Sequence, residues 1–278
     1  MTKALVLGGG GVTGIAWELG VLCGLQRAGV PLGDADVVIG TSAGSVVGSI
    51  VTAGIDLEAA VAMQQVPPPS SAGAAGSRGG AGRVLTALAV LADPSVPALE
   101  ARMRVGAFAL SASTQDEASY IARMTSILPV RQWPARDLRI TAVDTADGRD
   151  VVFDAASGVP LELAVAASCA VPGLMPPVTI DGRRYMDGGI RLGAGADLAE
   201  GADHLVVIAP MAALDPARIE TEMTSTGAGK TLLIAPDEAT MAAMGQNFMD
   251  ARRRAASVEA GLQQGAAVAE AVRAVWPG

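Results

Sequence analysis

The sequence predicts an α/β fold with a mostly parallel central sheet, and its first 55 residues carry the pattern most clearly. Two short, almost entirely apolar runs, Ala4–Leu7 and Asp36–Ile39, are typical of strands that are buried on both faces. Each run is followed by a glycine-containing turn and then by residues with helical spacing. This order of strand, helix, strand and helix predicts a βαβ unit with parallel strands.

The remaining elements follow from periodicity and turn signals. A first helix is predicted after Gly14 and ends at Gly29-Val30-Pro31. Further helical regions are predicted at residues 43–54, 84–128, 161–170 and, as an amphipathic C-terminal helix, 251–276. Strands are predicted at residues 138–143, 151–153, 178–180, 183–186, 205–209 and 232–235. Asp147-Gly148 and Asp181-Gly182 indicate two hairpins, the second with a type I′ turn.

We expect a single domain over residues 1–278. The stretch from Pro67 to Arg83 is rich in Pro, Gly and Ser, which predicts a flexible, exposed linker, with a mobile flap over a site as the alternative.

Composition excludes several classes of protein. Half of the residues are hydrophobic and 17% are charged, so a disordered chain is excluded. The net charge of -8 comes without a basic patch, so we expect no nucleic-acid partner. Two cysteines and one histidine rule out a disulfide scaffold and a Cys/His zinc site, and we expect neither metal nor cofactor.

Neither a signal peptide nor a transmembrane segment is predicted. The apolar run before the N-terminal glycines is too short for a secretory leader. The uncharged stretches at residues 37–55 and 163–180 contain glycines or prolines that argue against a spanning helix. We therefore expect a cytoplasmic protein.

The strongest chemical signal is Gly40-Thr41-Ser42-Ala43-Gly44, a G-x-S-x-G pattern between a predicted strand and a predicted helix. Ser42 would lie on a tight turn, and Gly40 and Gly44 would let strand and helix approach without Cβ clashes. The N-terminus of the helix would stabilise a developing oxyanion. We therefore predict that Ser42 is a nucleophile.

A second signal is the glycine-rich run from Gly8 to Gly14, which also matches G-x-G-x-x-G. It could bind a dinucleotide or form an oxyanion hole. A dinucleotide site requires an acidic residue at the end of the second strand, whereas Asp34 precedes that strand and Ser42 follows it. Because parallel strands bring their carboxyl-end loops to one edge, an oxyanion hole beside Ser42 is favoured.

The candidate base is less certain from the residues alone. Asp187 precedes Gly188 and Gly189 at the end of the second hairpin, yet Asp-Gly pairs usually mark turns. His204 would complete the chain order of an α/β-hydrolase triad, but it lies at the start of a predicted strand, away from the active edge. A structural role for His204 is favoured, and a Ser-His-Asp esterase is the alternative.

Together, GGGGVTG, GTSAG, ASCAVPGLMPPV and DGG resemble a bacterial patatin-like phospholipase over about residues 1–55 and 138–210. The resemblance implies a three-layer α/β fold, with the sheet flanked by helices, and a Ser–Asp dyad without histidine. Ser42 would then be the nucleophile and Asp187 the base, and the N–H groups of Gly9, Gly10 and Gly11 would form the oxyanion hole.

The resemblance also implies a lipid or acyl-ester substrate, compatible with peripheral contact at a membrane surface. One position departs from the family pattern, because Thr13 stands where an Arg or Lys is usual. We expect this change to alter head-group preference or rate. A non-catalytic nucleotide- or lipid-binding module is a further alternative, and the oligomeric state is left open.

Overall fold

The computed structural model describes residues 1–67, 78–212 and 215–277, and the strands in these ranges form one eight-stranded sheet. The strands are β1 Lys3–Leu7, β2 Val37–Gly40, β3 Asp137–Asp144, β4 Asp150–Phe153, β5 Val178–Ile180, β6 Arg183–Asp187, β7 His204–Ile208 and β8 Lys230–Ile234. Hydrogen-bonded pairs connect them along the path β5-β6-β3-β2-β1-β7-β8, and β4 also pairs with β3.

The helices of the described ranges surround this sheet. They are α1 Gly11–Arg27, α2 Ala43–Thr52, α3 Leu57–Gln65, α4 Arg78–Leu91, α5 Ala98–Ser111, α6 Glu117–Ile127, α7 Leu161–Ser168, α8 Pro216–Ser225, α9 Glu238–Met244 and α10 Arg254–Val275. None of the helices in the described part of the chain is long and apolar enough to cross a bilayer.

The predicted α/β architecture is confirmed. β3, β2, β1, β7 and β8 run parallel, while β4, β5 and β6 are added antiparallel. Alternate residues of β1 face opposite cores: Leu5 and Leu7 pack with α1 and α10, whereas Ala4 and Val6 pack with the residues around Ala196 and with α8. Burial on both faces explains why these strands are continuously apolar.

The register of β3 positions the site. Ile140 pairs with Gly40 of β2 on one edge and with β4 on the other, and Ala142 pairs with Asp187 of β6 and with β4. β2 and β6 therefore occupy the same edge of β3 and run towards each other. Their ends, Gly40 and Asp187, pair with β3 residues only two positions apart, so the turns that follow these two strands meet.

Two predicted hairpins are confirmed. β3 and β4 pair antiparallel around Asp147-Gly148, and β5 and β6 pair around Asp181-Gly182. Asp181 has φ 49° and Gly182 has φ 77°, as a type I′ turn requires at both central positions.

Other expectations need correction. α1 begins at Gly11 and not after Gly14, so the glycine loop is shorter than predicted. Of the predicted linker over residues 67–83, residues 68–77 lie outside the described residues, and residues 78–83 begin α4. Tertiary contact outweighs the low helix propensity of glycine there, because Arg83 Nε donates to the carbonyl of Gly173 at 2.6 Å. Helices α3, α8 and α9 were not predicted.

Candidate active site

Ser42 occupies a strained turn between β2 and α2. Its φ of 51° and ψ of -112° lie outside the regions that a residue with a Cβ prefers. The tight approach of strand and helix imposes this conformation. A Cβ on Gly44 would overlap the carbonyl group of Leu7, and one on Gly40 would lie 2.5 Å from the carbonyl oxygen of Gly44.

The turn brings Ser42 against Asp187. Ser42 Oγ donates a hydrogen bond to Asp187 Oδ2 at 2.7 Å, and the two residues are 7% and 5% exposed. The backbone N–H of Gly189 donates to the other oxygen, Oδ1, at 2.7 Å and fixes the carboxylate plane. Gly188 lets this segment lie on β3, because a Cβ there would overlap the hydroxyl of Thr141.

The environment of Asp187 makes it a stronger base than an exposed aspartate. Burial raises the pKa of this carboxyl to about 6, and the hydrogen bonds from Ser42 and Gly189 oppose part of the rise. The carboxylate is ionised at neutral pH and has a proton affinity suited to general-base chemistry.

The glycine loop lies directly beside this pair. Gly8 joins the glycine loop to the turn that carries Ser42. Its N–H donates to the carbonyl of Ile208 at 2.9 Å, and its own carbonyl accepts from Gly44 N–H at 3.0 Å. The Cβ position of Gly9 is 3.7 Å from Ser42 Cβ. Among the described residues, the N–H groups of Gly9, Gly10 and Gly11 donate to no acceptor, so they are free at the N-terminus of α1.

Close packing also explains the other glycines of the loop. A Cβ on Gly10 would overlap the ring of Pro210, and one on Gly14 would lie 3.2 Å from Pro210 Cγ. Thr13 is fully buried, and its N–H and hydroxyl both point to the carbonyl of Phe248, at 3.1 and 3.3 Å. The segment around Phe248 therefore covers Thr13.

A cavity of about 630 Å³ opens beside the glycine loop and the residues that follow Asp187. Gly9 and Gly189 line the part of it next to the Ser42–Asp187 pair. Its apolar wall comes mainly from α4, the α4–α5 connection, the segment after Asp187 and α8, through Leu88, Leu91, Val96, Ile190, Leu192 and Ile219. Such a cavity suits a hydrocarbon chain.

The other candidates do not join the site. His204 begins β7 opposite Lys3, whereas Ser42 follows the carboxyl end of β2, so the parallel register separates them by the length of the strands. Asp34 pairs with Lys3 at 2.6 Å and accepts from Trp276 Nε1, away from the glycine loop. No cluster suited to a metal ion occurs within the residues that the structure describes.

Sequence reasoning missed a buried carboxyl beside the loop. Glu18 on α1 is fully buried, and in the described chain neither of its oxygens has a hydrogen-bond partner. Burial raises its pKa well above the usual range, with the backbone of Gly8 opposing the rise. Burial therefore favours the neutral form of this carboxyl, which lies near Gly8. Its only sequence signal was a charged residue inside an apolar helical face.

Comparison with known proteins gives one family. The model described as patatin-like phospholipase matches residues 5–66 and 77–199, which is more than half of the chain and includes Ser42, Asp187 and the glycine loop. No curated protein sequence matches significantly.

The chain spans between 52% and 67% of the length of three solved structures that it matches. VipD from Legionella pneumophila is 13% identical, with 97% of this chain and 67% of that chain covered and a TM-score of 0.48. The type III effector protein ExoU is 20% identical, with coverage of 95% and 53% and a TM-score of 0.38. ExoU in complex with SpcU, from Pseudomonas aeruginosa, is 18% identical, with coverage of 96% and 52% and a TM-score of 0.36.

Proposed function

Because the chain belongs to the patatin-like phospholipase family, whose members hydrolyse lipids, we propose that it cleaves acyl esters of lipids with a Ser42–Asp187 dyad. The observation that carries this proposal is the 2.7 Å hydrogen bond from Ser42 Oγ to a buried carboxylate with no histidine between them. Phospholipids, lysophospholipids and simpler acyl esters all fit the proposal.

In the first step, Asp187 Oδ2 accepts the proton of Ser42 while Ser42 Oγ attacks the ester carbonyl carbon. Collapse of the tetrahedral intermediate breaks the ester C–O bond, and the alcohol leaves with the proton held by Asp187. The product is an acyl-serine. In the second step, Asp187 takes a proton from water, hydroxide adds to the acyl carbon, and the fatty acid leaves as Ser42 recovers its proton.

The free N–H groups of Gly9, Gly10 and Gly11 are proposed as the oxyanion hole. They stand at the start of the 17-residue helix α1, and α2 also begins at the site, so two positive helix ends face the developing charge. A single donor of this kind typically contributes about 3–4 kcal/mol to the barrier. The loop should therefore matter nearly as much as the base.

The cavity beside Gly9 is proposed to hold the acyl chain. Its apolar lining would exclude water from one side of the ester, and its three arginines are already paired with local carboxylates: Arg102 with Asp150, Arg191 with Asp150 and Asp197, and Arg218 with Asp215. An acyl chain therefore fits this cavity better than a phosphate group.

Contact with a lipid surface is supported by the helices beside the cavity. Leu85 on α4 and Leu99 and Met103 on α5 are 65%, 48% and 43% exposed. Exposed apolar side chains on these two helices would meet the acyl region of a bilayer as a substrate chain enters the cavity.

A fluorophosphonate probe tests the proposed function. We expect one covalent adduct, mapped to Ser42 by mass spectrometry, and release of fatty acid from phosphatidylcholine vesicles or lysophosphatidylcholine micelles. Ser42→Ala, which removes only the hydroxyl, should show neither. Folded wild-type protein that stays unlabelled, with and without vesicles, would contradict the proposal.

The pH dependence of hydrolysis should report the raised pKa of Asp187. Only the ionised carboxylate can accept the serine proton, so kcat should be half-maximal near pH 6 and fall about tenfold per pH unit below it. An ordinary aspartate would keep the enzyme fully active at pH 5. A profile measured on a p-nitrophenyl ester that is flat from pH 5 to 8, with circular dichroism unchanged, would contradict this assignment.

A further inference from the structure

Three consecutive residues at the end of α7, Ser168, Cys169 and Ala170, each contact the dyad. This segment lies between α2 and β6, and its Ser168 and Ala170 are fully buried. It contacts the N–H and the carbonyl of Ser42 and the backbone N–H of Asp187.

The hydroxyl of Ser168 accepts a hydrogen bond from the backbone N–H of the nucleophile. Ser42 N–H donates to Ser168 Oγ at 2.8 Å, and Ser168 is fully buried. Ser42 is the N-cap residue of α2, so this N–H has no acceptor within the helix. Without the hydroxyl of Ser168 the N–H would be buried and unpaired, and relaxation of the turn would then be favoured.

Cys169 and Ser45 secure the carbonyl of the same residue. Cys169 Sγ donates to the Ser42 carbonyl at 3.3 Å, and Ser45 Oγ donates to it at 2.7 Å. Burial raises the pKa of Cys169 to about 12, with the nearby charge of Asp187 adding to the rise. The side chain thus remains a thiol and acts as a donor.

Ala170 connects the segment to the base. The backbone N–H of Asp187 donates to the Ala170 carbonyl at 3.0 Å. The helix that presents these residues is itself fixed, because Tyr120 is fully buried and its hydroxyl donates to the carbonyl of Ala166 at 2.9 Å. Nucleophile and base are therefore attached to one short, rigid piece of backbone.

We propose that Ser168-Cys169-Ala170 is a positioning segment that holds Ser42 in its strained conformation and sets the distance between Ser42 Oγ and Asp187. Ser168 is its principal side chain, since it is the acceptor for Ser42 N–H. The inference rests on the proposed function, because it concerns the reactivity of the same serine.

Ser168→Ala tests the segment, and Ser257→Ala is its matched control. Ser257 is also a fully buried serine, but its hydroxyl donates to the carbonyl of Arg253, the residue just before its own helix, α10. We expect Ser168→Ala to lower kcat on p-nitrophenyl butyrate and the rate of fluorophosphonate labelling by about 10- to 100-fold, with KM unchanged. Ser257→Ala should keep wild-type kcat with a similar change in Tm, and Ser168→Thr, which retains a hydroxyl, should recover most of the rate.

Labelling of Ser168→Ala at the wild-type rate would overturn the inference while leaving the proposed function intact. Failure of the wild type to react would instead remove the proposed function. If Ser168→Ala does not fold, substitutions of Cys169, which donates to the Ser42 carbonyl, test the inference instead. Cys169→Ser keeps a donor and should react like the wild type, whereas Cys169→Ala should react more slowly, and equal rates for the two would overturn the inference.

Discussion

Asp187→Asn is expected to lower kcat for ester hydrolysis by about 10²- to 10⁴-fold, the usual contribution of a general base. The amide has nearly the same shape as the carboxylate and can still accept from Gly189 N–H, but it cannot take the proton of Ser42. Fluorophosphonate labelling should slow in parallel, because attack on the probe needs the same proton transfer. A variant that keeps more than a tenth of wild-type kcat would contradict the assignment of Asp187 as base.

The same substitution should raise stability at neutral pH. The pKa of Asp187 is raised in the folded protein. Its contribution to the free energy of unfolding is therefore fully present below about pH 4 and is lost as pH rises through about 6. Asp187→Asn removes this loss, which is up to about 3 kcal/mol at 1.4 kcal/mol per pKa unit. Its Tm should exceed that of the wild type at pH 8 and match it near pH 4, which separates lost chemistry from lost folding.

Local sequence was sufficient for those parts of the site that depend on short-range geometry. Gly44 is required because α2 touches β1, and Gly40 because β2 approaches the first turn of α2. Asp181-Gly182 satisfies a turn with two positive φ angles. Asp187 was different. Its Asp-Gly context is common, and only the combination of motifs in the family resemblance singled it out before β6 was seen to run towards β2.

The missed features depend on contacts between distant segments. Ser168 is one of many small residues in an apolar helix, and nothing local shows that its hydroxyl meets Ser42, 126 positions away. Likewise, glycine-rich residues 78–83 do not favour a helix on their own. Contact of α4 with Gly173 and burial of Ala87 offset the low helix propensity of these glycines. Contacts between residues that are far apart in the sequence are the features that a single sequence predicts least well.

Gly44→Ala is expected to destabilise the protein by more than about 3 kcal/mol, at the upper end for overpacking, and to abolish probe labelling. The new methyl would overlap the carbonyl of Leu7, which is backbone in the central strand and cannot rotate away. Relief requires α2 to move from β1. That movement would break the hydrogen bond from Gly44 N–H to Gly8, which joins the nucleophile turn to the glycine loop.

Gly48→Ala, one turn later in α2, is the matched control. A methyl there would meet side-chain methyl groups of Leu138, Val38 and Leu7, at 3.1, 3.3 and 3.8 Å, and the two closer ones can adjust by a few tenths of an ångström. The gain in helix propensity from Gly to Ala, about 1 kcal/mol, offsets much of that strain. Urea unfolding and labelling should therefore place Gly48→Ala near the wild type and Gly44→Ala far from it. If the two variants were equally stable and reactive, contact between α2 and β1 would not be what holds Ser42 in place.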